Sequence, residues 1–312
     1  MPEVRMHLHP NADPAEVVVV SNERCTAGRK PAGFIRHVVF DVSGTRLEGS
    51  FRPGQSFGVI PPGVDARGVP HKVRLYSTSS PTRGEDGQGR HVATTVKRLI
   101  DEHVETGRLF LGVASNYLCD LKPGDRVKMT GPSGKRFVLP ADPWAHDYVF
   151  FATGTGVAPF RGMLMDLFPE GEHPGRGDGG RAVLVMGSPY GTDLLYDGQL
   201  RALEARSGGR FRYVTAVSRE SGWSGDGRLS GYVHDAFGRI AAVDEVLSGG
   251  RALVYVCGVA GMELGVLRGL WRSADGAAFV GVDASAGEPG VWTRRMIHKE
   301  VRPSRRVFLE VY

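Results

Sequence analysis

Apolar and polar positions follow two rhythms along this chain. Up to about residue 142, apolar residues recur at every second position in short runs cut by Gly and Pro. Residues 34–42 read as a strand, with a turn at Ser43-Gly44. Arg52-Pro53-Gly54-Gln55 reads as a turn and 56–60 as a strand. A further strand begins at Arg74, where Val73, Leu75 and Ser77 alternate with Arg74, Tyr76 and Thr78. Beyond a Gly-rich loop at 83–89, residues 91–99 form another strand. Gly112 introduces a short helix beginning near Asn116, which Pro123-Gly124-Asp125 ends, and 127–130 and 137–139 read as closing strands. Short, closely spaced strands with Gly/Pro turns predict an antiparallel β-barrel. Residues 1–33 carry little signal.

Pro140-Ala141-Asp142-Pro143 reads as a linker, and the rhythm changes after it. Strands at 148–152, 182–186, 211–217, 253–257 and 308–311 alternate with helices at 160–168, 194–206 and 262–272 and one beginning within 232–237. That alternation predicts βαβ units in a doubly wound parallel sheet. The expected organisation is therefore a barrel domain at 1–142, whose first 33 residues are poorly defined, followed by an α/β domain at 143–312. The Gly-rich segments 171–180 and 273–290 read as surface loops.

Composition narrows the function. At 312 residues, 41% hydrophobic and 23% charged, the chain is an ordinary globular sequence with room for two cores. No apolar run is long enough for a membrane span, and the first residues lack the apolar stretch of a signal peptide, so a cytoplasmic location is expected. Cys25, Cys119 and Cys257 are too few for a disulfide framework or for the four thiolates of an iron–sulfur cluster. The ten histidines show no metal-ligand spacing. The net charge of +5 comes entirely from the first half, a bias that can steer an acidic partner. It lacks the interleaved aromatics of a nucleic-acid site, so no nucleic-acid partner is expected.

Several stretches suit nucleotide chemistry. Arg74 and Tyr76 on one strand face fit a phosphate tail and a flat ring, although any half-buried strand alternates in this way. Gly112-Val113-Ala114-Ser115 precedes a helix whose first amides can hold a pyrophosphate. Gly154-Thr155-Gly156 joins a strand to a helix, and Pro159 stands where a dinucleotide fingerprint would place its third Gly. Ser218-Arg219 lies at a strand's carboxyl end, where ligands bind doubly wound sheets. Together with Arg228 it suits a 2′-phosphate. Cys257 ends an apolar strand before Gly258 and on its own reads as a small buried hydrophobe.

In this order, Gly54 to Pro61, Arg74-Leu75-Tyr76-Ser77, Gly112 to Pro132, Gly154 to Pro159, Cys257-Gly258 and the final Glu310-Val311-Tyr312 resemble the plant-type branch of the ferredoxin–NADP reductase family. The resemblance covers roughly residues 34–312. It implies an oxidoreductase holding FAD through Arg74, Tyr76, Ser77, Gly112, Val113, Ala114, Ser115 and Tyr312. It further implies NADP(H) held through Lys97, Gly154, Thr155, Gly156, Ser218, Arg219, Arg228, Cys257 and Gly258. Ser77 near flavin N5, Cys257 beside nicotinamide C4, Glu310 in proton exchange and Tyr312 stacked on the flavin would be the catalytic set. NADPH would pass a hydride to the flavin, and electrons would leave singly to ferredoxin or flavodoxin, acidic carriers suited to the basic first half. A downstream oxygenase or reductase system is an implied destination. The alternatives are a dedicated reductase component of an oxygenase system and a flavin-binding sensor or assembly module. Two departures from the family stand out: Asp101 and Ser230 occupy positions where it carries aromatic residues that stack on the two adenines.

Overall fold

A computed structural model describes residues 2–171 and 180–312. The described residues divide into two compact units. One holds the chain up to Cys25, Ala32–Ala141 and Ala158–Asp166; the other holds Thr26–Pro31, Asp142–Val157 and the residues from Leu167 to Tyr312. No helix among the described residues is long and apolar enough to cross a membrane.

The first unit contains β1 (Ala15–Arg24), β2 (Ile35–Asp41), β3 (Ser56–Ile60), β4 (Arg74–Ser77), β5 (His91–Lys97), β6 (Ile100–Glu102), β7 (Leu109–Leu111), α1 (Val113–Asp120) and β8 (Arg126–Ser133). Six of these strands form an antiparallel sheet in the order β4-β3-β8-β1-β2-β5. Its two edges meet: Thr78 bridges Thr94, and the Thr94 hydroxyl donates to the Ser77 carbonyl at 2.8 Å. Among the described residues the sheet closes at this one bridge only, so β4 and β5 stay edge strands along the rest of their length. Val17, Val38, Phe40, Phe57, Val92, Val127 and Met129 fill the interior. Phe57 meets Phe40 and Phe51 edge-on at 5.7 and 5.9 Å, a favoured geometry for aromatic quadrupoles.

Three local readings of this region change. Residues 15–24, within the stretch that seemed featureless, are a ten-residue strand central to the sheet. The run Val17-Val18-Val19-Val20 hid it: Val17 and Val19 are buried while Val18 and Val20 face solvent, so the alternation lies in burial and not in residue type. Helix α1 begins at Val113 and not near Asn116, with Gly112 as its N-cap. Phe137 and Val138 are buried without belonging to a strand; Phe137 packs on Phe160 at 5.9 Å.

The second unit contributes β9 (Asp147–Thr153), α2 (Val157–Leu167, whose middle residues cluster with the first unit), β10 (Ala182–Ser188), α3 (Asp197–Arg206), β11 (Phe211–Val217), β12 (Arg228–Ser230) and α4 (Ala241–Ser248). It continues through β13 (Ala252–Gly258), α5 (Met262–Arg272), α6 (Gly276–Phe279), β14 (Val280–Val282), β15 (Val301–Pro303) and β16 (Val307–Val311). A sheet runs β12-β11-β10-β9-β13-β16, every pair parallel. Its central strands read as continuous apolar runs because both faces are covered, as in β10, all seven of whose residues are buried.

The helix expected within 232–237 is a single 3-10 turn, Val233–Ala236, and α4 follows it. The segment 273–290 is not a plain surface loop: it contains α6 and β14 and buries Phe279, Val280 and Ala286. Its glycines suggested a loop, whereas the buried apolar residues between them decide the structure. The expected loop at 171–180 falls largely outside the described residues.

Candidate flavin and nucleotide sites

In the first unit, β4 is an edge strand paired with β3 through Ser56↔Ser77, Phe57↔Tyr76 and Val59↔Arg74. Arg74 and Leu75 are both exposed and Tyr76 and Ser77 are half-buried, so β4 lacks the simple inside–outside alternation that its sequence suggested. An edge strand leaves its faces and one backbone edge open, which is what a flat ligand needs. Arg74 Nη1 makes weak contacts with the Lys72 and Val73 carbonyls at 3.4 and 3.2 Å and has no ion pair among the described residues, leaving its charge available. The Tyr76 ring packs on the barrel core, and burial pushes its hydroxyl pKa up to about 12, so it stays neutral at physiological pH.

Gly112 caps α1 without a side chain, and no side-chain bond closes the helix start. The first-turn amides of Val113, Ala114 and Ser115 have no carbonyl four residues back within the helix to receive them. A Cβ at Gly112 would lie 2.7 Å from Ser115 Oγ and 2.8 Å from Leu99 Cβ, so the turn requires glycine. The Ser115 hydroxyl accepts from the Leu99 amide at 3.1 Å and donates to the Gly112 carbonyl at 3.2 Å. It therefore braces the turn, and the donor it retains for an anion is its backbone N–H. Open amides at a helix start, a guanidinium with no ion pair among the described residues and a half-buried aromatic ring are groups that suit the phosphates and ring of FAD.

The hairpin β6–β7 leads into this helix start. Its register sets Asp101 directly opposite Phe110, which is 46% exposed. Directly opposed residues share a sheet face. The family's ring is missing at 101, yet an aromatic surface stands across the ladder from it. Sequence reading missed Phe110 because the cross-strand pairing, unlike the missing tyrosine, is not visible in a linear motif.

In the second unit, a 3-10 turn at Gly154–Gly156 joins β9 to α2. Gly154 has φ of +53° with open space where a side chain would stand. Gly156 is the reverse case: a Cβ there would lie 2.2 Å from the Cys257 carbonyl oxygen. Gly258, at φ +146°, would likewise drive a Cβ to 2.1 Å from Thr153 Oγ1. These contacts bring the carboxyl ends of β9 and β13 together, and Thr153 Oγ1 accepts from the Val259 amide at 2.9 Å to hold them.

Cys257 pairs across the sheet with Glu310 and is buried. Burial raises its thiol pKa well above the usual range, with the Glu310 charge adding to the shift, so it is a poor nucleophile and a good packing element. Glu310 is half-buried, its Oε2 is enclosed with no hydrogen-bond partner among the described residues, and burial lifts its pKa to about 7. An enclosed, unpartnered carboxylate oxygen fits a site that a ligand completes. Tyr312 is 62% exposed but is not frayed: its amide donates to the Gly258 carbonyl at 3.0 Å and its carbonyl accepts from the Ala260 amide at 2.9 Å. Its hydroxyl lies 2.5 Å from Thr155 Oγ1, which sets the ring against the Gly154–Gly156 turn.

Ser218 and Arg219 follow β11 at its carboxyl end and are exposed, their amides donating to the Ser188 and Pro189 carbonyls at 3.1 and 2.9 Å. Arg228 opens β12 opposite Thr215. Its guanidinium lies over the Trp223 ring, 4.9 Å from the centroid. Neither Arg219 nor Arg228 forms an ion pair among the described residues. Ser230 lies opposite Val217. Trp223 was missed by sequence reading, since a lone aromatic in a Gly/Ser-rich loop gives no periodic signal. Lys97 is exposed at the end of β5 in the first unit.

A family described as an oxidoreductase NAD-binding domain matches residues 150–267. The ferredoxin–NADP reductase of Thermosynechococcus vestitus is 39% identical over 268 residues, covering 85% of this chain and 67% of that protein. The corresponding protein of Spirulina sp is 39% identical over 243 residues, covering 78% of this chain and 81% of that one. This chain belongs to the ferredoxin–NADP reductase family. The chloroplastic leaf isozyme 1 of Arabidopsis thaliana is 40% identical over 246 residues, 78% of this chain and 66% of its own length, which supports the plant-type branch. Among solved structures, the ferredoxin–NADP+ reductase of Plasmodium falciparum aligns with a TM-score of 0.70 at 21% identity, covering 98% of this chain and 99% of that one. At that identity the likeness speaks for the fold alone, an antiparallel barrel and a doubly wound parallel sheet.

Proposed function

We propose that this chain is a ferredoxin–NADP reductase: it binds FAD and NADP(H) and carries electrons between NADPH and ferredoxin. The single observation that carries the reading is the identity to named reductases across most of the chain. The first unit holds FAD and the second holds NADP(H). FAD, when bound, supplies the exchange between two-electron hydride chemistry and one-electron transfer that this activity requires.

The chain's own residues bind, orient and handle a proton. Arg74 neutralises phosphate charge, and the first-turn amides of Val113, Ala114 and Ser115 after Gly112 donate to it. Tyr76 offers a flat apolar face, and Ser77 a hydroxyl beside it. Phe110 provides an aromatic surface for the adenine where Asp101 cannot. In the second unit, the Gly154-Thr155-Gly156 turn admits the pyrophosphate closely, while Ser218, Arg219 and Arg228 receive the 2′-phosphate. Lys97, on the first unit, carries the charge that the family resemblance assigns to NADP(H). Cys257 and Gly258 shape the nicotinamide floor by packing, because a protonated buried thiol has little other chemistry. Glu310, with a pKa about 7, can hold or release a proton near neutrality. Tyr312 rests on the nucleotide turn through Thr155. The basic surplus of the first half favours an acidic ferredoxin, or a flavodoxin of similar charge.

The test is to purify the protein, record its visible spectrum and titrate it anaerobically with NADPH and with NADH. Flavin absorbance that NADPH bleaches at much lower concentration than NADH is the expected result. A colourless protein that takes up no FAD on reconstitution would refute the reading.

A further inference from the structure

We propose that Trp223 is the positioning residue that holds Arg228 ready for the 2′-phosphate and so sets the preference for NADPH over NADH. The inference rests on the proposed role of Arg228 and goes further, to how this chain keeps that cation in place. Three contacts fix the indole. Its N–H donates to Thr215 Oγ1 at 3.1 Å and toward the Thr215 carbonyl at 3.3 Å. Thr215 is itself locked, its amide donating to the Gly227 carbonyl at 2.8 Å. Against the other end of the ring lies Gly191, where a Cβ would approach Trp223 Cζ3 to 2.6 Å. Only a residue without a side chain lets the ring lie there.

Arg228 then packs on this fixed ring at 4.9 Å from its centroid. It is exposed and makes no side-chain hydrogen bond or ion pair among the described residues. The carboxylates of the same loop are engaged elsewhere: Glu220 accepts from the Gly191 amide at 2.8 Å, and Asp226 pairs with Arg212. The distinction matters chemically. A carboxylate would also immobilise the guanidinium, but it would occupy the N–H donors and cancel the charge. An aromatic face orders the guanidinium while leaving its in-plane donors open to an anion. This arrangement also gives Ser230 a physical context. The family's aromatic lies two residues after Arg228, whereas here the ring lies five residues before it and contacts the cation itself.

The experiment measures binding of NADP+, NAD+, 2′-phospho-AMP and AMP to the FAD-loaded protein by calorimetry. The set is the unmodified protein, Trp223→Ala, Trp223→Phe, Trp223→Leu and Arg228→Ala. Trp223→Ala is expected to weaken NADP+ and 2′-phospho-AMP by roughly three- to thirty-fold, the range of an ordered cation–π contact. NAD+ and AMP should change by less than about two-fold, since they carry no 2′-phosphate. Trp223→Phe, which keeps a π face, should recover most of the loss. Should Trp223→Ala fold poorly, the Phe and Leu variants decide: similar bulk, with only the former retaining a quadrupole. Equal losses for both nucleotides, or Leu binding as well as Phe, would overturn the proposal and make Trp223 a packing residue. Loss in Arg228→Ala without loss in Trp223→Ala overturns it while leaving the 2′-phosphate role of Arg228 intact. No loss in Arg228→Ala removes that role, and the proposal with it.

Discussion

Replacing Glu310 by Gln should change how stability depends on pH, by an amount the structure sets. Glu310 lies on β16 opposite Cys257, its Oε2 enclosed and without a hydrogen-bond partner among the described residues, and burial lifts its pKa from 4.5 to about 7. At ~1.4 kcal/mol per pKa unit, the ionised form is disfavoured in the folded chain by about 3 kcal/mol. The direction follows from proton counts. Between pH 4.5 and about 7, the folded protein keeps a proton that the unfolded chain releases, so this group makes stability fall as pH rises, levelling off above the folded pKa. Glutamine cannot ionise. The unfolding free energy of Glu310→Gln minus that of the unmodified protein should therefore climb by about 3 kcal/mol from below pH 4.5 to above pH 7. Carboxylates held low, such as Asp86 at about 2, titrate identically in both proteins and cancel. Urea denaturation at half-unit pH steps reads the difference directly. A flat difference across that window would mean that Glu310 is solvated or paired, and the argument that it can exchange a proton near neutrality would fall with it.

Two further outcomes follow from other parts of the chain. The buried Arg161 and the half-buried Glu85 form a two-pronged pair at 2.7 and 3.0 Å, with Arg161 also donating to the Ser79 carbonyl at 2.8 Å. Burial and the Arg161 charge hold the nearby His37 pKa down at about 4. Glu85→Gln should thus cost about 3–5 kcal/mol, because it removes the negative charge that faces a buried guanidinium, and a loss below about 1 kcal/mol in denaturant unfolding would contradict this. Tyr312→Ser removes the ring that Thr155 holds against the Gly154–Gly156 turn, so it should tighten both NADPH and NADH, and NADH proportionally more, because NADPH would keep the 2′-phosphate contacts proposed for Ser218, Arg219 and Arg228. Unchanged affinities and an unchanged ratio would show that the ring does not compete with nicotinamide.

What the sequence revealed depended on whether the signal was local. The second-unit strands were plain because their residues are buried on both faces, and burial of that kind is written directly as apolar runs. The glycine turn at 154–156 was equally plain, since a strand ending and a helix starting around two glycines is a contiguous pattern. β1 was hidden for the opposite reason: four successive valines satisfy a strand that is buried on one face only, and the outward pair, Val18 and Val20, erase the alternation. The site residues divide in the same way. Arg74, Ser218, Arg219 and Cys257 became candidates through their neighbours in the chain. Phe110 could not, because its significance lies in being paired with Asp101 across a ladder, and Trp223 could not, because it matters through a ring contact with a residue five positions on. Both aromatics stand near positions where the family's linear motif fails, at Asp101 and at Ser230. A missing motif residue therefore says little until its spatial neighbours are known, since stacking needs only a ring in the right place and is indifferent to the strand that carries it.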